Sequence, residues 1–234
     1  LRGIRATART NQIMVLGMGV VVLAFFGAAF RYLFQAPGLT GASFLRPFYN
    51  PETFSIGAIS TGASVAVLTY IGFDGISTLS EEVENPRRNI LLATVLVCLI
   101  TGMLASAEVY LGQMVWPQYN TFPDVDTAFV DVAGRAGGML MFHLVNFTLL
   151  AATIGSGMGS QLAAARLLYG MGRDNAIPRG FFGFIEPKRG VPRNNVLFLG
   201  ALALAGAFLM SYQLGAELLN FGAFVSFMGV NLAA

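Results

Sequence analysis

Residues 64–90 read SVAVLTYIGFDGISTLSEEVENPRRNI. The first part of this stretch is apolar except for Asp74, which stands between Gly72 and Gly75. A carboxylate inside a membrane-spanning segment is expensive, so it pairs, faces water or titrates. Each glycine weakens a helix by about 1 kcal/mol relative to alanine. An unwound helix exposes backbone N–H and C=O groups, which lipid forbids and a polar cavity accepts. The pattern therefore predicts a broken helix at Gly72–Gly75 lining a central site, with half-helix dipoles aimed at a ligand or ion. The competing reading is a glycine-rich packing contact, with Asp74 hydrogen-bonded to a neighbouring helix.

The rest of the chain supports a membrane setting. Of 234 residues only 11% are charged and 55% are hydrophobic, with 28 Gly and 20 Phe. An ordinary soluble domain carries about 25% charge to cover its surface. Soluble, disordered and nucleic-acid-binding classes are thereby excluded. One Cys leaves neither a disulfide framework nor a thiolate metal cluster. A spanning helix needs roughly 20 mostly apolar residues. Six stretches meet or approach that length, at about 12–34, 54–83, 89–116, 137–170, 194–212 and 216–234. No alternating ten-residue pattern suggests a β-barrel. The expected fold is an all-α membrane protein with six transmembrane helices in one unit, 1–234.

Lys and Arg concentrate in every second connection. Arg2, Arg5, Arg9, Arg87, Arg88, Arg166, Arg173, Arg179, Lys188, Arg189 and Arg193 fall on one side, against Arg31, Arg46 and Arg135 on the other. The positive-inside rule places the first group in the cytoplasm, so the first span runs outward. The chain opens on Leu1 without a signal-peptide pattern and stops inside an apolar run. It is therefore expected to be part of a longer protein.

The run Gly72-Phe73-Asp74, followed by Ser80-Glu81-Glu82-Val83-Glu84-Asn85-Pro86-Arg87-Arg88-Asn89-Ile90, resembles the sixth-helix signature of the amino acid–polyamine–organocation (APC) transporters. Residues 164–178, AARLLYGMGRDNAIP, are similar to the segment that ends that family's eighth helix. Leu219-Asn220-Phe221-Gly222-Ala223-Phe224 resembles the tenth. The resemblance implies helices five to ten of a LeuT-like fold of two inverted five-helix repeats. It implies secondary transport of amino acids or polyamines by alternating access. The wording of the first two motifs is similar to the putrescine importer branch. The alternatives are a neutral amino acid exchanger of the same fold, or a non-transporting structural subunit.

Carried over residue by residue, the resemblance makes Tyr70, Ile71, Gly72, Phe73, Asp74 and Gly75 the helix-six half of the substrate site, with Phe73 as an apolar gate. Asp74 would also serve gating or proton handling, with Glu81, Glu82, Arg87 and Arg88 at the cytoplasmic gate. Solvated local ion pairs, worth at most about 1 kcal/mol each, are the plainer reading of those four. Pro86 is expected to push Asn85 out of helical geometry and end the helix before it. In the fourth span, Gly155 and Gly159 have the small-xxx-small spacing of close helix packing. Ser156 and Ser160 are a candidate ion site, since related transporters place helix-eight hydroxyls at a sodium position. The first span holds no Lys, so the coupling ion, H+ or Na+, stays open. Trp116 and Tyr119 suit an interfacial aromatic belt, and Glu108 and His143 read as boundary residues. No His-Glu-x-x-His, phosphate-binding loop or nucleophile elbow points to an enzyme. No cofactor, metal or nucleic-acid partner is implied. The partners are a small-molecule substrate and the lipid bilayer, in a multi-pass protein of the cell membrane.

Overall fold

The computed structural model describes residues 2–79, 83–187 and 190–233. Its α-helices are α1 (Arg2–Gln35), α2 (Gly41–Leu45), α3 (Ile56–Ala66), α4 (Pro86–Val115), α5 (Ala128–Arg173), α6 (Arg179–Phe182), α7 (Arg193–Leu209) and α8 (Tyr212–Ala233). Among the described residues there is no strand, only an isolated bridge pairing Glu186 with Val191. Among the described residues four segments are long and apolar enough to cross a membrane: Gln12–Gln35, Ile56–Ser77, Pro86–Val115 and Ala128–Arg173. Helix α7 is apolar but has 17 residues, and α8 has 22. The chain divides into two compact units, Leu1–Ser55 with Met103–Ser156, and Ile56–Gly102 with Gly157–Ala234.

The first unit holds most of the buried core. Phe25, Ala29 and Leu33 recur every four residues, so they share one face of α1. That face meets Leu111, Met114 and Val115 of α4 and Val130, Val132, Ala133, Met141 and Val145 of α5. Phe25 is 1% exposed, and its ring lies 5.0 Å from that of Phe129. Helix α5 is interrupted in this unit at Gly138, whose φ of 74° and ψ of −171° fall in a region open essentially to glycine alone. The neighbouring Gly137 lies so close to Met141 and Ala28 that any side chain would collide. The helix therefore bends where two small residues allow α1 and α5 to touch. Farther along, Gly155 lies against Met14 of α1, whereas Gly159 faces open space. Of the small-xxx-small pair, Gly155 is the close-approach position.

The second unit is organised by its helix ends. Asn175 closes α5 in the left-handed conformation, φ 58°. The Ala176 N–H donates to the Met171 carbonyl at 2.9 Å, and the Asn175 N–H to that of Gly172 at 3.2 Å. This paired arrangement satisfies carbonyls that a helix end leaves orphaned. The Met-Gly-Arg-Asp-Asn-Ala-Ile-Pro wording is thus a helix stop, with Pro178 just beyond it. Gly172 packs against the backbone of Phe182 and Gly183, where no Cβ would fit. Asn195, fully buried, donates through Nδ2 to the carbonyls of Phe182 (2.9 Å) and Ala165 (3.2 Å). These two acceptors set the orientation of its amide. Asn194 donates to the Phe181 carbonyl and Gln161 to that of Val196, which ties α5, α6 and α7 together.

At the start of α4, Pro86 is the first helical residue, where its missing N–H costs nothing. Asn85 takes φ 51°, and its carbonyl accepts the N–H groups of Arg88 and Asn89, both at 3.1 Å. Asn85 leaves helical geometry as expected, and Pro86 opens the following helix. The special backbone at Gly138 yields a direct expectation. Gly138→Ala should lower stability by about 1–3 kcal/mol, the usual cost of a residue with Cβ in that region. Thermal melting of the detergent-purified protein measures it, with Gly159→Ala as the tolerated control.

Candidate functional site

Helix α3 stops at Ala66, well before the span that contains it ends. Val67–Thr69 form a 3₁₀ turn, residues 70–72 form a plain turn, and Phe73–Leu79 continue as a second 3₁₀ helix. The hydrogen bonds here run three residues back: Tyr70 to Val67 (3.0 Å), Ile71 to Leu68 (3.3 Å), Phe73 to Tyr70 (3.3 Å) and Gly75 to Gly72 (3.1 Å). A 3₁₀ run of seven residues is uncommon and marks a hinge or a strained sequence. Gly72 supplies the reversal, with φ 112°. Gly75 needs no such freedom: a Cβ there would make ordinary contact with Ala163 at 3.9 Å. The two glycines thus differ in role, one fixing the backbone path and the other permitting proximity.

The side chains of this segment diverge. Asp74 is exposed, and its carbonyl accepts the Ser77 hydroxyl at 2.6 Å. Phe73 is half-buried and stacks on Phe227 of α8, with centroids 5.5 Å apart and planes 28° from parallel. The Tyr70 hydroxyl rests against Gly102 of α4, where any side chain would block it. Ile71 and Asp74 line a cavity of about 290 Å³ with Leu218, Leu219, Gly222, Ala223, Ser226 and Phe227. These α8 positions repeat as pairs every four residues, so they form one helix face. A Cβ built on Gly222 meets nothing within 4 Å, so this position leaves the cavity open. Ser226 adds a hydroxyl one turn farther on. Of the residues lining the cavity, Asp74 alone carries a charge.

Sequence reasoning placed Tyr70, Ile71, Gly72, Phe73, Asp74 and Gly75 at one site, and they lie on one interrupted segment. It did not assign the α8 face. The available signal was the repeat Leu218, Gly222, Ser226, a large, small and polar residue at helical spacing. Glu81 and Glu82 lie outside the described residues. Arg87 and Arg88 are exposed on the first turn of α4, where the Glu84 carbonyl accepts the Asn89 side-chain amide at 2.6 Å. Arg173 pairs with its neighbour Asp174 at 3.2 Å, an exposed contact of small energetic worth. Ser156 and Ser160 sit one turn apart on α5 and both are exposed. Among the described residues no group of His, Cys, Asp or Glu is placed to hold a metal ion.

Long apolar helices with exposed apolar faces, one of them passing into a seven-residue 3₁₀ stretch beside a cavity, define a multi-pass helical membrane protein. The chain belongs to the amino acid permease family, whose model matches residues 1–232. It is 36% identical over 239 residues to the low-affinity putrescine importer of Escherichia coli strain K12, a match covering 100% of this chain and 51% of that protein. It is 32% identical to the vacuolar cationic amino acid transporter 4 of Arabidopsis thaliana, over 94% of this chain and 36% of the relative. A branched-chain amino acid permease of Lactococcus lactis is 28% identical over 99% of this chain and 49% of its own length. The chain spans about half the length of the putrescine importer it matches. No solved structure gives a significant match.

The glycine geometry is testable independently of transport. Gly72→Ala should destabilise the protein by about 1–3 kcal/mol through backbone strain, since nothing crowds a Cβ there. Gly75→Ala should leave stability within about 0.5 kcal/mol of the parent. Paired thermal melts in one detergent compare the two.

Proposed function

We propose that this chain is the solute-handling part of a secondary transporter for amino acids or polyamines, working by alternating access. The single observation that carries the reading is Asp74, the one charged residue among those lining the cavity beside the 3₁₀ segment. Lone acids at membrane depth mark solute and ion pathways. A site with one carboxylate, one hydroxyl and apolar walls suits an aliphatic cation, whose ammonium meets Asp74 while its methylenes meet Ile71, Leu218 and Leu219. The names of the putrescine importer and the cationic transporter among the relatives support the same solute class. In this mechanism the segment from Val67 to Leu79 is the flexing half-helix, and the Phe73–Phe227 stack is the apolar gate that parts to admit solute. The Arg-rich connections face the cytoplasm. The second reading, a neutral amino acid exchanger, is favoured by the apolar character of the remaining cavity wall and by the branched-chain permease among the relatives.

The two readings separate on Asp74. Asp74→Asn keeps the side-chain shape and removes the charge. Uptake of a labelled diamine by cells expressing the native gene should fall about tenfold or more, the worth of one hydrogen bond to a charged group. Uptake of a branched-chain amino acid should fall instead if the neutral reading holds. Unchanged uptake of both would remove Asp74 from the site. Gly222→Leu tests the cavity wall. The added side chain would occupy the open space, so KM should rise more for a long diamine than for a short one.

A further inference from the structure

The first unit carries a second cavity, remote in sequence from Asp74. It measures about 340 Å³ and is lined by Ala28, Arg31, Tyr32, Gln35, Ala136, Gly137 and Met141. Ala28, Arg31, Tyr32 and Gln35 fall at i, i+3, i+4 and i+7 on the last turns of α1, so they share a face. The α5 wall is the bend at Gly137 and Gly138, where the helix resumes and presents a new N-terminal end. A second cation stands beside this wall. Arg135 donates through Nε to the Tyr32 hydroxyl at 3.0 Å, and its guanidinium lies 4.8 Å from the centre of the Trp116 ring. Among the described residues neither Arg31 nor Arg135 forms an ion pair with a carboxylate. Two of the three basic residues on the sparsely charged side of the sequence thus gather at one place.

We infer that this cavity binds the phosphate diester headgroup of an anionic phospholipid. Guanidinium groups bind phosphate oxygens in pairs of parallel hydrogen bonds. Arg31 lines the cavity directly, and Arg135 is held beside it, its Nε donating to the Tyr32 hydroxyl of the cavity wall. Gln35 adds an amide donor, and the resumed helix contributes the positive end of its dipole. The location selects a lipid over free phosphate. The cavity lies at the end of the Gln12–Gln35 span, where Trp and Tyr side chains mark a membrane interface. Phe30, Phe34, Met139 and Leu140, next to the lining residues in sequence, are exposed apolar side chains that acyl chains would cover.

Native mass spectrometry of the detergent-purified protein, titrated with phosphatidylglycerol or phosphatidylcholine of matched chains, tests the site. Phosphatidylglycerol adducts should exceed phosphatidylcholine adducts at least threefold. Arg31→Gln with Arg135→Gln should abolish that preference, whereas Arg46→Gln, away from the cavity, should retain it. If the double variant is not monodisperse, Arg31→Gln alone serves, with Arg31→Lys expected to keep most of the preference. Equal binding of the two lipids, or a preference that survives loss of Arg31, would overturn the proposal. So would stabilisation by inorganic phosphate equal to that by phosphatidylglycerol, which would identify an ion site instead.

Discussion

A peptide group without a hydrogen-bond partner costs several kcal/mol in hydrocarbon, because no water is present to satisfy it. The two irregular stretches inside the long apolar segments are subject to that constraint. Continuous helix is the default, and long stretches of α1, α4 and α5 obey it. The departures occur where a protein wall or a cavity replaces lipid. The 3₁₀ segment from Phe73 to Leu79 keeps its N–H groups bonded three residues back and runs beside α8 and a cavity. The bend at Gly138 lies against α1 and borders the second cavity. Irregular backbone and cavity coincide in both units.

The helix ends follow the same logic with different chemistry. Asn175 turns left-handed so that two N–H groups reach back to the last carbonyls of α5. Asn85 does so ahead of Pro86 and gives its carbonyl to the first turn of α4. Asparagine tolerates this conformation better than most residues with a Cβ. Asn195 satisfies two further carbonyls from inside the second unit. Motifs that mark the permease family in sequence are therefore, at atomic level, devices for ending and joining helices. Family identity and helix termination are read from the same residues, whereas the proposed solute site draws on Asp74 and the α8 wall.

Charge is used sparingly, and its placement separates roles. Arg87, Arg88 and Arg173 are exposed beside helix ends, where water screens them and pairing is worth little. Asp74 instead faces a cavity with otherwise uncharged walls. The Arg31, Tyr32 and Arg135 group shows another pattern: Arg31 and Tyr32 line one cavity, and Arg135 donates to the Tyr32 hydroxyl.

The amino-acid sequence by itself determined the membrane class, through composition, and singled out Gly72 to Gly75 through local backbone preference; the family and the helix end before Pro178 came from the resemblance of its motifs. Composition and backbone preference act between near neighbours in the chain, so the sequence carries them directly. It did not reveal which glycine of a pair matters. Gly72 and Gly75 look alike in the sequence, yet only Gly72 takes positive φ; Gly155 and Gly159 look alike, yet only Gly155 meets α1. Nor did it join Asp74 to Gly222 and Ser226, or Arg31 to Arg135. Those pairings lie about a hundred residues or more apart in sequence, and a periodic helix face does not name its partner. Packing alone chooses which faces meet, and the two cavities exist only where it does so.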